Sequence, residues 1–221
     1  MQCMVRAWLR AIGLFAIAPI VRAGAGAYLV DDASITPAQH CQVQSWAQWV
    51  SGGQKTLNTL PACSTGPVEW SWGLEAQNHP YEYQQSPAVK WMIRDPDHHP
   101  IGIAVNVGMT WVSGRLQSRN TYMAATWAPD SARRWAINAD LGMIYMRGSQ
   151  WHALTGIGIK YKLHEHLSFI LEHIQPWNGQ SISQAGLRWV FHGSDSLDLI
   201  VGRSNAHSHN RWLTLGVNIA L

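Results

Sequence analysis

The chain ends on R-W-L-T-L-G-V-N-I-A-L, Arg211 to Leu221. Leu213, Leu215, Val217, Ile219 and Leu221 fall on one face of this stretch, and Trp212, Thr214, Gly216, Asn218 and Ala220 fall on the other. That is period two, the period of a β-strand. The apolar face is unbroken up to the last residue. An exposed strand edge of this kind in a soluble protein recruits other chains. Two all-β arrangements accommodate it: an inner strand face of a soluble sandwich, or the lipid-facing side of a transmembrane barrel. The stretch alone fits both.

The opposite end reads as an export signal. Arg6 and Arg10 precede the apolar run Ala11–Val21, and both Ala23-Gly24-Ala25 and Ala25-Gly26-Ala27 suit a small-residue cleavage site. Residues 1–27 are therefore expected to be removed, leaving 28–221 as one domain with a short leading segment, 28–40. The apolar run is too short to span a bilayer, and no later segment approaches that length. Membrane insertion, if it occurs, is then as a barrel.

Composition narrows the choice. Charged residues make up 13% of the chain, about half the usual share. Hydrophobic residues are an ordinary 47% and the mean hydropathy is −0.12, so small polar residues replace charge. Thirteen Trp stand against three Phe. Indoles favour the membrane–water interface, although they also suit a sugar-binding sandwich. A net charge of +3, spread along the chain, gives no nucleic-acid surface.

With Cys3 lost to the signal, Cys41 and Cys63 remain, and Gly52-Gly53 lies midway between them. A hairpin turning at that pair sets Cys41 opposite Cys63, where an exported protein forms a disulfide. Free buried thiols are the alternative.

Strands are expected near 41–50, 54–62, 67–76, 86–94, 101–112, 119–128, 133–145, 151–163, 167–175, 182–191, 197–203 and 211–221. About twelve strands is an even number, as in single-chain bacterial barrels, with both termini at one end. Short turns (95–100, 128–132, 163–166, 192–196) alternate with longer polar connections (77–85, 113–119, 174–181, 204–210). No connecting loop is long enough to plug a lumen.

The sequences V-D-D-A-S (30–34), H-C-Q-V-Q-S-W (40–46) and L-P-A-C (60–63) resemble a group of exported Gram-negative barrel proteins similar to the channel-like protein of phenol meta-cleavage operons. The chain end resembles the C-terminal signature of outer-membrane barrels, with Leu221 in the usual place of Phe. The resemblance implies an antiparallel up-and-down outer-membrane barrel. It also implies contact with outer-membrane lipid and handling by the barrel-assembly machinery through the C-terminal strand. It supplies no catalytic residue.

On the polar strand faces lie Glu69, Glu75, Lys90, Arg94, Asn106, Asp140, Lys160, Glu172, Arg188 and Asp198. From the seventh strand to the eleventh, the sign of charge alternates between neighbours. In a barrel these residues form a wet, mixed-sign lumen wall; in a sandwich they form a solvated face. His98-His99, His164 with His166, and His207 with His209 fall in turns or loops, and no metal or cofactor site is expected. In the loop Ser204–Asn210, His207 and Ser208 are the one candidate pair for a lipid hydrolase, but their spacing does not match that of the known His–Ser barrel enzymes. The expected function is a narrow channel or small-solute transporter of unknown solute. A non-conducting structural barrel is the alternative, and a lipid-active hydrolase the third.

Overall fold

The computed structural model describes residues 26–177, 180–205 and 210–221. The strands are β1 (Cys41–Val50), β2 (Lys55–Thr65), β3 (Val68–Asn78), β4 (Tyr81–Arg94), β5 (Ile101–Val112) and β6 (Arg115–Trp127). They continue with β7 (Trp135–Met146), β8 (Trp151–His164), β9 (Leu167–Trp177), β10 (Gln180–His192), β11 (Asp195–Ser204) and β12 (Arg211–Ala220). Each pairs antiparallel with its chain neighbours, and β1 pairs with β12 from Gln42↔Ala220 to Val50↔Trp212, closing a twelve-stranded barrel. Closure removes the free edge that the C-terminal strand would otherwise present.

The ambiguity between sandwich and barrel is resolved by which face of that strand is covered. Leu215 is 48% exposed and Leu213 40%, whereas Thr214 between them is 1% exposed. The apolar face points outward, as in a wall facing hydrocarbon, and a sandwich would have buried it. The rest of the exterior follows. Trp70, Trp91, Trp127 and Trp135 are exposed near the end where β1 begins and β12 ends (the terminal end), and Trp49, Tyr81 and Trp151 near the far end. Two aromatic girdles with an aliphatic band between them match the two interfaces of a bilayer.

The first hairpin turns at Gly52 and Gly53, both with positive φ (93° and 91°), and its register sets Cys41 against Cys63. The two form a disulfide with Cα atoms 4.0 Å apart.

The connections differ from expectation. Most of 77–85 and 113–119 is strand, and the β3–β4 and β5–β6 turns are residues 79–80 and 113–114. Ser113 (φ 49°) and Gly114 (φ 76°) give β5–β6 the two consecutive positive-φ residues of a tight hairpin turn. The polar residues read as loop continue the ladder instead, as in Gln77↔Glu82 and Val112↔Arg115. The far end therefore carries tight turns at these two places.

Candidate functional site

The lumen is occupied, and by the leading segment rather than by a loop. Residues 26–40 form no strand of the barrel. From β1 they run inside the wall, crossing the faces of β3, β6, β7 and β9 to reach β10 and β11. Tyr28, Leu29, Val30, Asp31, Ala33 and Thr36 are all buried.

Wall acids hold the backbone of this segment. Near the terminal end, Glu69 Oε2 accepts from the Thr36 N–H (2.7 Å) and from its hydroxyl (2.6 Å). Thr126 Oγ1 accepts from the Ala33 N–H at 2.8 Å, and Asp140 Oδ2 from the Asp31 N–H at 2.9 Å. Glu172 accepts from the Leu29 N–H (2.9 Å) and the Val30 N–H (3.3 Å), and its Oε2 also accepts from Gln184 Nε2 at 2.7 Å. The same Gln184 amide donates to the Ala27 carbonyl at 3.2 Å. These bonds satisfy the buried N–H groups of a segment that has no sheet partner, and so seat it inside the wall.

Side chains of the segment complete the seating. Asp31 accepts from Lys90 Nζ at 2.8 Å and from the Tyr122 hydroxyl at 2.9 Å. Tyr122 lies opposite Gly142, where a Cβ would stand 2.4 Å from Tyr122 Cβ, so a side chain there would displace the ring that reaches Asp31. Gly156 and Gly158 leave room for Val30, which would stand 3.2 and 3.4 Å from a Cβ at those positions. At the leading end, the Tyr28 hydroxyl donates to Asp198 Oδ1 (2.7 Å), and the Arg188 guanidinium lies over the Tyr28 ring at 4.6 Å. Arg188 in turn makes a two-pronged bond to Asp198 (2.8 and 2.9 Å), its register partner on β11.

The ten candidate lumen residues are thus distributed. Glu69, Lys90, Asp140, Glu172, Arg188 and Asp198 converge on the segment. Asn106 and Glu75 line a separate cavity on the β1–β6 side. Lys160 is part-buried and makes no ion pair among the described residues. A register shift between Met92 and Arg94 sets Arg94 opposite Ile103, and Arg94 is exposed beside the terminal rim. Sequence reasoning missed Tyr28, Asp31, Tyr122, Thr126 and Gln184. One signal was present: thirteen residues at about 3.3 Å each reach far enough to cross a barrel of this size.

Beyond the segment, the β6–β12 half of the lumen is packed rather than wet. Ile144, Leu154, Ile174, Ile182 and Trp212 form one apolar cluster with Leu29 and Val30. On the other side, Gly26, Trp46, Asn58, Glu75, Asn106 and Asn120 are among the residues lining a cavity of about 60 Å³. No group of three metal-ligating side chains occurs among the described residues. His207 and Ser208 lie outside the described residues.

Residues 13–221 match the family described as Uncharacterised conserved protein UCP029691. The chain belongs to that family. No curated protein matches it. Its structure resembles the KdgM porin in complex with disordered oligogalacturonate, with TM-score 0.66 and 9% identity over 80% of this chain and 97% of that one. It also resembles the NanC porin, with TM-score 0.63 and 9% identity over 79% and 98%. The COG4313 outer membrane channel from Pseudomonas putida F1 matches with TM-score 0.54 and 11% identity over 86% and 98%. At such identities the likeness is one of fold: the twelve-stranded barrel of outer-membrane porins and channels.

Proposed function

We propose that this protein is an outer-membrane barrel that passes small solutes by a narrow route, with its own leading segment as the constriction. The observation that carries this is the way the segment is held. It is seated by side chains and contributes no strand, so it can shift or leave without opening the barrel. The fold shared with porins and channels and the aliphatic exterior between two aromatic girdles support the membrane setting. In this reading the export signal is cleaved at Ala23-Gly24-Ala25, the first of the two candidate sites, which keeps Gly26 and Ala27 in the lumen segment; the C-terminal strand is what the assembly machinery grips, and the protein is not an enzyme. The likeness to the channel-like protein of phenol meta-cleavage operons is carried partly by Val30 to Ser34, the residues that cross the lumen.

Liposome swelling with sugars of graded size tests the proposal. Wild type should admit only the smallest solutes, slowly. Asp140→Asn with Glu172→Gln weakens the seating and should raise the rate several-fold and admit larger solutes. The packed cluster around Ile144 and Ile174 favours a second reading, a sealed structural barrel. That reading holds if folded wild type and variant both behave like empty liposomes.

A further inference from the structure

On the inward face of β1–β6, the wall changes character between the seated segment and the far rim. Lys90 is the last basic side chain turned inward there, and it is already paired with Asp31. Beyond it stand two carboxylates. Glu82 is part-buried between exposed Tyr81 and Tyr83 on β4, and Glu75 lies two rungs below it on β3, opposite Gln84. Lys55 and Arg119 lie on the outward face, opposite Trp49 and Met109, and Arg115 is exposed at the β5–β6 turn. Neither carboxylate has an ion-pair partner among the described residues. Amides hold them instead. Gln77 Nε2 donates to Glu82 Oε2 at 3.1 Å. The Asn58 amide, turned so that its oxygen accepts from Trp46 Nε1 (3.1 Å), donates to Glu75 Oε2 at 2.6 Å. Two fixed negative charges with no basic neighbour on that wall draw cations toward them and repel anions.

Among the described residues, Glu75 is the only charged side chain lining the cavity on this side. A second acceptor faces the same space. Asn120 is 7% exposed, and its Oδ1 is buried without a partner. Gly108 keeps the space before it clear: a Cβ there would stand 2.8 Å from Asn120 Oδ1 and 3.6 Å from Asn106 Oδ1. A buried carbonyl oxygen is costly to leave without a donor. At about 60 Å³ the cavity has room for a few waters, or for one organic solute of about four to six non-hydrogen atoms.

We infer that this cavity is a site for a primary ammonium group. Glu75 supplies the counter-charge, and Asn120 Oδ1 accepts from a second donor, such as the hydroxyl of a small amino alcohol. A carboxylate solute meets Glu75 with like charge, and a neutral polyol leaves Glu75 without a cation. The same chemistry has a second source: Gly26 lines the cavity, and cleavage after Ala25 leaves an α-ammonium on it. Such a site deepens the channel reading above, on which it rests, by naming the class of solute.

The test uses the full mature chain folded in detergent micelles, where binding is read without transport. Saturation-transfer NMR with ethanolammonium chloride as probe should show saturable binding. Glu75→Gln should weaken it about tenfold. Gly108→Ala, which fills the space before Asn120 Oδ1, should weaken it several-fold, and equimolar ethylene glycol or sodium glycolate should not displace the probe. The source is read by acetylating the folded protein with N-hydroxysuccinimidyl acetate and locating the label by mass spectrometry. Probe binding, with a Gly26 amine that reacts equally in wild type and Glu75→Gln, assigns the site to a free solute. A Gly26 amine protected in wild type and freed by Glu75→Gln, with no probe bound, assigns it to the chain's own terminus. The site is overturned if folded, heat-modifiable wild type neither binds the probe nor protects Gly26, if Glu75→Gln changes neither readout, or if glycolate competes as well as the ammonium. Binding in micelles by a barrel that admits no solute in the swelling assay contradicts the route and not the site.

Discussion

The buried pair Lys90–Asp31 shows how single residues seat the segment. Both side chains are almost wholly out of water, 2.8 Å apart. Removing one partner leaves an unpaired buried charge, whereas removing both leaves a packing defect. Asp31→Ala should therefore cost about 3–5 kcal/mol in urea unfolding from micelles, and adding Lys90→Met should recover part of that loss. A double variant less stable than the single one would contradict the pairing. At the terminal rim, a different carboxylate works in water. Asp130 accepts from the Arg134 and Trp135 N–H groups (2.8 and 3.1 Å), which hold its carboxyl below the usual carboxylate range. A lowered folded-state pKa contributes stability above the unfolded value near 4 and loses it as pH falls through the folded value. Asp130→Ala should thus unfold more readily than wild type at pH 7, with the gap closing on acidification below about pH 4.

At the scale of elements, the first hairpin and the leading segment form one unit. The Gln39 N–H donates to the Ser64 carbonyl and the Ser64 N–H to the His40 carbonyl, beside the disulfide that joins β1 to β2. The sulfurs close a loop of sequence separation 22, for which chain entropy gives about 3 kcal/mol. Cys41→Ser with Cys63→Ser should lose on the order of that amount and loosen the base of the segment, read as faster proteolysis near residue 36. The strands and their number were legible because period two is a strong signal and turn residues punctuate it. The outward aliphatic face of β12 was legible for the same reason, though its direction was not, since alternation has no inside. The length of the segment was legible, but its path inside the wall was not. Its residues are an irregular run whose partners, Glu69, Asp140 and Glu172, lie far away in sequence, so no local pattern links them. The charges of Asp140 and Glu172 looked like half of a cross-strand ladder with Lys160 and Arg188; they bind backbone N–H groups instead. Ile144, Leu154, Ile174 and Ile182 turn inward on strands whose outer faces are also apolar, which hid the packed half of the lumen.

The molecule as a whole is a closed wall around three unequal contents: a strap seated on carboxylates, an apolar packing on the β6–β12 side, and a polar cavity on the β1–β6 side. Under the proposed function the strap is the element that sets whether the two ends communicate. Its loss should leave the wall intact, because every strand keeps both neighbours. The measurement that bears most directly on this is single-channel current in planar bilayers, comparing wild type with a chain lacking residues 28–36, each shown by heat-modifiable gel mobility to be folded. A strap that constricts the lumen gives small, infrequent steps for wild type and conductance at least several-fold larger for the deletion. Equal currents from the two folded proteins, or none from the deletion, would contradict it.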